Sequence, residues 1–116
     1  MYLKLKSKKI PIEIKTTLKE KIISFRFKLT DIDYWLCFPK KRRINTYFYC
    51  QKVDIVMTDK DNNIVKIFLN EASEKRFKGP KKTYFTYVFK GNTLNDYKVL
   101  DHLNIISTKK EKEVLF

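Results

Sequence analysis

Val53-Asp54-Ile55-Val56-Met57-Thr58, then Asp59-Lys60-Asp61-Asn62-Asn63, then Ile64-Val65-Lys66-Ile67-Phe68-Leu69, is the stretch on which the fold turns. Its outer runs are rich in β-branched and aromatic residues, which suit a pleated, half-buried surface. The five residues between them are turn chemistry, because Asp and Asn side chains bond their own backbone and tolerate a left-handed conformation. Together the three parts spell a β-hairpin. Alternation puts Val53, Ile55 and Met57 on one face and Asp54 with Val56 on the other.

Upstream, Ile44 to Tyr49 reads as a strand, and so does Tyr34-Trp35-Leu36-Cys37-Phe38, closed by Pro39 and followed by an exposed basic loop, Lys40-Lys41-Arg42-Arg43. Nearer the start, Tyr2, Leu3 and Leu5, then Ile10, Ile12 and Ile14 alternating with Pro11, Glu13 and Lys15, describe one or two strands with one buried face. Pro11 cannot donate to a ladder, so this part is expected at a sheet edge. Its lysines discourage pairing with a second copy, which favours a monomer. Thr16 or Thr17, with Glu20 completing a capping box, starts a short helix through about Phe27.

Downstream, Asn70 to Lys82 is polar and basic with Gly79-Pro80, a surface loop; Thr83 to Phe89 is a strand ending at Gly91; Thr93 to Tyr97 is a helical turn; and Leu103 to Ile106 closes the sheet. The expected architecture is a β-dominated α+β domain, a small barrel or rolled sheet of six to seven strands with one short helix. Residues 1–108 form that domain, and 109–116 are set apart as a charged tail or fraying helix.

A chain of 116 residues closes one hydrophobic core and is too short for two. The formal charge of +13 attracts nucleic acid, anionic membrane or acidic protein. Yet 22 of the 26 basic residues are Lys, only Arg26, Arg42, Arg43 and Arg76 are Arg, and Ala72 is the sole alanine, the bias of an A/T-rich genome. Lys is a hydrated point charge that serves solubility, whereas phosphate and base readers favour the planar fork of Arg. A solvated Lys-rich surface is therefore the favoured reading of the charge. Cys37 and Cys50 sit inside apolar or aromatic runs and read as two buried thiols. No apolar run approaches the length of a membrane span, and Lys4, Lys6, Lys8 and Lys9 interrupt any signal-peptide core, so the cytoplasm is the expected compartment and no membrane partner is expected.

The run from Arg43 to Val65, through Thr46, Phe48, Asp54 and the Asp59–Asn63 turn, resembles the core of the domain-of-unknown-function 192 family. The family core carries Thr, an aromatic, an Ile-Asp pair, an apolar strand, an Asp-containing turn and a second apolar strand. The resemblance extends over roughly residues 8 to 106 by matching strand and turn signals, through Ser24-Phe25-Arg26-Phe27, Tyr34 to Phe38, Tyr87 to Gly91 and Leu100-Asp101-His102-Leu103. Departures are Ser24 for Gly, Asn45 for His, Cys50 for Met, Tyr87 for Glu and Leu100 for Gly. The resemblance implies a small β-rich fold with short helices and no particular reaction.

Catalysis needs a positioned base and nucleophile. His102 beside Asp101 has neither Ser nor Cys placed next to it by a motif, and reads as a surface or turn histidine. Asp59, Asp61 and Asn63 open like a calcium loop, but Ile64 stands at the sixth position and Asn70 at the twelfth, so the segment is a hairpin turn. No cofactor or metal is expected. Asp54 interrupts an apolar strand; it either ties a neighbouring loop by accepting backbone N–H bonds or contacts a ligand. The best candidate surface is Lys40, Lys41, Arg42 and Arg43 followed by Asn45, Tyr47 and Tyr49, since basic groups that hold phosphates beside aromatics that stack bases are what single-strand binders need. Two functions stay open: a non-catalytic binding or accessory domain whose concave sheet holds a small ligand or a partner segment, with Asn45, Tyr47, Tyr49 and Asp54 as the candidate ligand contacts, and an RNA- or single-stranded-DNA-binding protein using the Lys40–Arg43 cluster.

Overall fold

A computed structural model describes residues 1–5, 8–17, 25–91 and 97–116. Its elements, in chain order, are strands β1 (Tyr2–Leu5), β2 (Lys8–Ile14), β3 (Trp35–Pro39), β4 (Arg43–Asn45), β5 (Val53–Thr58), β6 (Ile64–Glu71), β7 (Arg76–Lys78), β8 (Phe85–Lys90) and β9 (Ile105–Ile106), and helix α1 (Lys109–Leu115). The hairpin read from sequence is β5–β6, antiparallel from Val53 opposite Glu71 to Thr58 opposite Ile64. Asp59 builds its turn: Oδ1 accepts the N–H groups of Asp61 at 2.9 Å and Asn63 at 3.0 Å. Asn62 takes the left-handed position, φ 62°.

Seven strands form one sheet in the order β6-β5-β8-β3-β2-β1-β9, and β4 and β7 form a separate two-stranded ribbon. Among the described residues, only the β2–β3 pair of the main sheet is parallel. The main sheet is curled into a half-barrel, and one short segment explains the curl. Leu100 and Leu103 donate to the carbonyls of Ile64 and Asn62 at 2.8 and 2.9 Å, and two residues later β9 pairs with β1. The same stretch of chain thus ties together strands from opposite ends of the sheet. A radius of gyration of 13.1 Å matches the roughly 13 Å of a single domain of this length.

Every side chain of β3 and β5 is buried, and so is all of β8 up to Lys90, because both faces of the central sheet are covered. One face carries Leu3, Trp35, Val56, Phe85, Tyr87, Leu103 and Leu115, with Trp35 stacked on Phe89 at 4.2 Å. The other carries Leu36, Phe38, Val53, Ile55, Met57 and Val88 beneath Phe25, Ile44 and Tyr49. Each such burial of a large apolar side chain contributes roughly 1.5–3 kcal/mol. Gly79 is required where the ribbon returns to the sheet, since a Cβ there would overlap Met57 Sδ and Thr83 Oγ1.

Several expectations need correction. Pro11 does not mark an edge, because β2 lies between β1 and β3. Ile12 donates to Met1 O at 3.0 Å, which makes Tyr2–Pro11 a pair whose N–H positions face away from the partner, and the β3 ladder begins only at Ile12. The missing donor therefore costs neither ladder a bond. Asn70 to Lys82 is not all loop, as it contains the end of β6 and the whole of β7, whose three residues are too few to show a period. Ile44 to Tyr49 is strand only to Asn45, and a turn follows with Phe48 at φ 63°. The charged residues 109–116 hold α1, which Thr108 and Glu111 cap reciprocally and which buries Leu115 in the core. The helix expected from Thr16 or Thr17, and the turn at Thr93 to Tyr97, fall largely outside the described residues; Phe25 to Phe27 form a turn in which Arg26 bridges Tyr49.

Candidate functional site

The β4–β7 ribbon lies over the second core face and is held there by its inward side chains. Ile44 on β4 and Phe77 on β7 face each other, and Phe77 packs on Phe68 with ring centroids 4.9 Å apart. Alternation then turns their neighbours outward: Arg43 opposite Lys78, and Asn45 opposite Arg76. The basic run leading into β4 is not a free loop. Lys40 turns the chain at φ 55°, Lys41 O accepts the Thr86 hydroxyl at 2.6 Å, and Arg42 O accepts the Gly79 N–H at 2.7 Å.

The outward face is a network of polar groups on a fixed frame. Arg26 donates to Asn45 Oδ1 at 2.6 Å, and the Tyr47 N–H reaches the same oxygen at 3.3 Å. With its oxygen used twice, Asn45 keeps its NH2 for an outside acceptor. Arg76 Nε donates to the Tyr47 hydroxyl at 2.5 Å, and its guanidinium stands 5.7 Å over the Tyr47 ring. Arg43, Asn45, Tyr47, Arg76 and Lys78, floored by Ile44 and Phe77, line an open recess of about 470 Å³. Thr46 anchors the end of the ribbon, accepting from Lys75 N–H through its hydroxyl at 3.1 Å and donating to Ala72 O at 2.8 Å.

Charge is the main feature of this surface. All four arginines of the chain lie on or against the ribbon: Arg43 and Arg76 within it, Arg42 at its root and Arg26 bonded to Asn45. Among the described residues, no ion pair involves Arg42, Arg43, Arg76 or Lys78. Phe27 and Phe48 stack on each other beside Arg26 and Tyr47, and both rings are exposed.

The residues singled out in sequence separate into two groups. Asn45, Tyr47 and Arg43 come together in the recess. Tyr49 does not join them, because it turns inward against Phe25 at 6.4 Å in the core. Asp54 is also away from the recess, fully buried, and accepts the Asn70 N–H at 2.6 Å. It ties down the end of β6, the structural alternative for a carboxylate in an apolar strand. Sequence reading missed Arg26, Phe27, Phe48, Arg76 and Lys78. The usable signal was the rarity of Arg beside Lys.

The cysteines differ from the expected pair of buried thiols: both are free, Cys37 is buried and Cys50 is exposed. Burial pushes the Cys37 thiol up to about 12 from an ordinary 9.0, against a smaller opposing effect of its bond with Tyr87. At neutral pH it is a protonated core group and no nucleophile. Cys50 precedes the Val53 end of β5, while His102 bridges Asn63 past the Thr58 end. Six residues of strand, ~20 Å, separate them. The two do not form a dyad.

Fold and surface together define the class: a curled β-sheet domain carrying a cationic, aromatic-edged ribbon. No protein-family model matches the chain, and no curated protein matches it in sequence. Two solved structures share the fold. A protein of unknown function from Novosphingobium aromaticivorans superposes with a TM-score of 0.64 at 15% identity, over 78% of this chain and 71% of that one. A protein from Sinorhizobium meliloti 1021, described as a candidate transcription regulator, superposes with a TM-score of 0.70 at 11% identity, over 83% and 81% of the two chains. At these identities the likeness is one of fold.

Proposed function

We propose that the protein is a non-catalytic binding domain that grips single-stranded nucleic acid along the outer face of the β4–β7 ribbon. The observation that carries this reading is the gathering of all four arginines on or against one ribbon in a chain with 22 lysines. Genome bias accounts for a diffuse Lys surplus and offers no reason for the rare Arg to converge. Arg43, Arg76 and Lys78 supply phosphate contacts, and Asn45 offers an amide donor at the same level. A small ligand in the concave sheet is the weaker reading, because Trp35, Tyr87, Phe85 and Leu103 fill that side.

Fluorescence anisotropy with short labelled RNA and DNA single strands tests the proposal. Binding is expected at low salt and should weaken steeply as salt rises, with each phosphate contact contributing ~0.7 to the slope of log affinity against log salt. Arg43→Ala with Arg76→Ala should remove most of the affinity and reduce that slope by ~1.4. Absence of binding at low salt, or binding indifferent to both substitutions, overturns it.

A further inference from the structure

Phosphate binding explains the ribbon's charge but not Phe27 and Phe48. Both rings are open to solvent, at 70% and 57% exposure, although both are large and apolar. Their centroids are 5.3 Å apart and their planes 24° from parallel. Both residues hold positive φ, 60° and 63°, a region in which a bulky L side chain is strained. Three ties keep the mount in place: Phe27 N–H donates to Phe48 O at 2.9 Å, Glu74 accepts the Phe48 N–H at 2.8 Å, and Arg26 bridges Tyr49. A strained backbone that turns two aromatic rings outward gains nothing for core packing.

The position of the pair relates it to the ribbon. Phe27 follows Arg26, which donates to Asn45; Phe48 follows Tyr47, whose hydroxyl accepts from Arg76. Three residues of chain, at most ~10 Å, separate Asn45 from Phe48. The rings therefore stand at the end of the cationic strip, within reach of a strand whose phosphates lie on it.

Resting on the single-strand reading of the ribbon, we infer that Phe27 and Phe48 form a stacking platform for an unpaired nucleobase, with the flanking phosphates held by Arg43 and Arg76. Every base has a flat π face, so the platform tolerates any sequence. A duplex keeps its bases in their own stack and cannot use it, which makes the platform the element that separates single strands from duplex. The surrounding cations favour this anionic occupant over an apolar segment of a protein.

The test compares Phe27→Leu, Phe48→Leu and Phe48→Trp, each first checked by thermal unfolding, against single-stranded and duplex oligonucleotides and a single strand containing the fluorescent base 2-aminopurine. Either Leu variant should weaken single-strand binding between about fivefold and a hundredfold, leave the salt slope and the weak duplex binding unchanged, and lose the quenching of 2-aminopurine. Phe48→Trp should keep all three. Leu variants that bind as tightly as the parent chain, while Arg43→Ala with Arg76→Ala binds weakly, overturn the platform, leave the ribbon reading standing and assign the rings to a protein contact. Failure of the parent chain to bind any single strand overturns both.

Discussion

The middle of the main sheet and the β4–β7 ribbon follow opposite rules. In β3, β5 and β8 nearly every side chain is buried, and each buried polar group has a partner: Asp54 accepts from Asn70 N–H, Thr86 donates to Lys41 O, and Thr58 donates to Asp59 O. In the ribbon, three residues per strand are paired, Arg43 stands directly opposite Lys78, and exposed aromatics sit on left-handed backbone nearby. Like charges opposed across a ladder and strained exposed rings both cost stability. The contrast teaches where this molecule is organised for folding and where it tolerates unfavourable contacts for another purpose.

The largest expected effect would break the central region. Trp35→Ala removes the side chain stacked on Phe89 and tilted against Tyr87 and should cost ~3–5 kcal/mol in urea unfolding, while the protein that remains folded keeps its affinity for single strands. A loss below ~1 kcal/mol would mean that the centre is less tightly packed than the ribbon and reverse the comparison. Next comes Asp54→Ala, which deletes a fully buried carboxylate together with the bond it accepts from the Asn70 N–H and should cost ~1–3 kcal/mol with no change in binding. Reduced affinity at unchanged stability would return Asp54 to the site. The smallest effect has the most instructive sign. Lys78→Glu turns a repulsive cross-strand pair into an attractive one and should stabilise the fold by ~0.2–1 kcal/mol while weakening nucleic-acid binding. Destabilisation would show that Arg43 and Lys78 do not repel across the ribbon.

The central region was largely legible in sequence. The hairpin β5–β6, its Asp59-anchored turn, β3 and β8 are all runs long enough to display β propensity with turn residues at their ends. Tyr49 was misread because alternation from Tyr47 assumes a continuous strand, whereas the chain turns at Thr46 to Tyr49 and Phe48 takes positive φ. The ribbon was half legible. Lys40 to Asn45 stood out by its charge, but its partner β7 is three residues whose pairing depends on contacts more than thirty positions away.

In the β5–β6 hairpin, local chemistry alone dictated the strands, the turn and the placement of Val53, Ile55 and Met57 opposite Val56, since period-two alternation and Asp/Asn turn preferences act between near neighbours. Only the tertiary structure decided that Asp54 serves Asn70, that Pro11 sits harmlessly between two strands, and that Arg26 and Arg76 come to the ribbon that carries Arg43. Those outcomes depend on which distant segments the buried sheet faces bring together, and a linear chain carries no local signal for that.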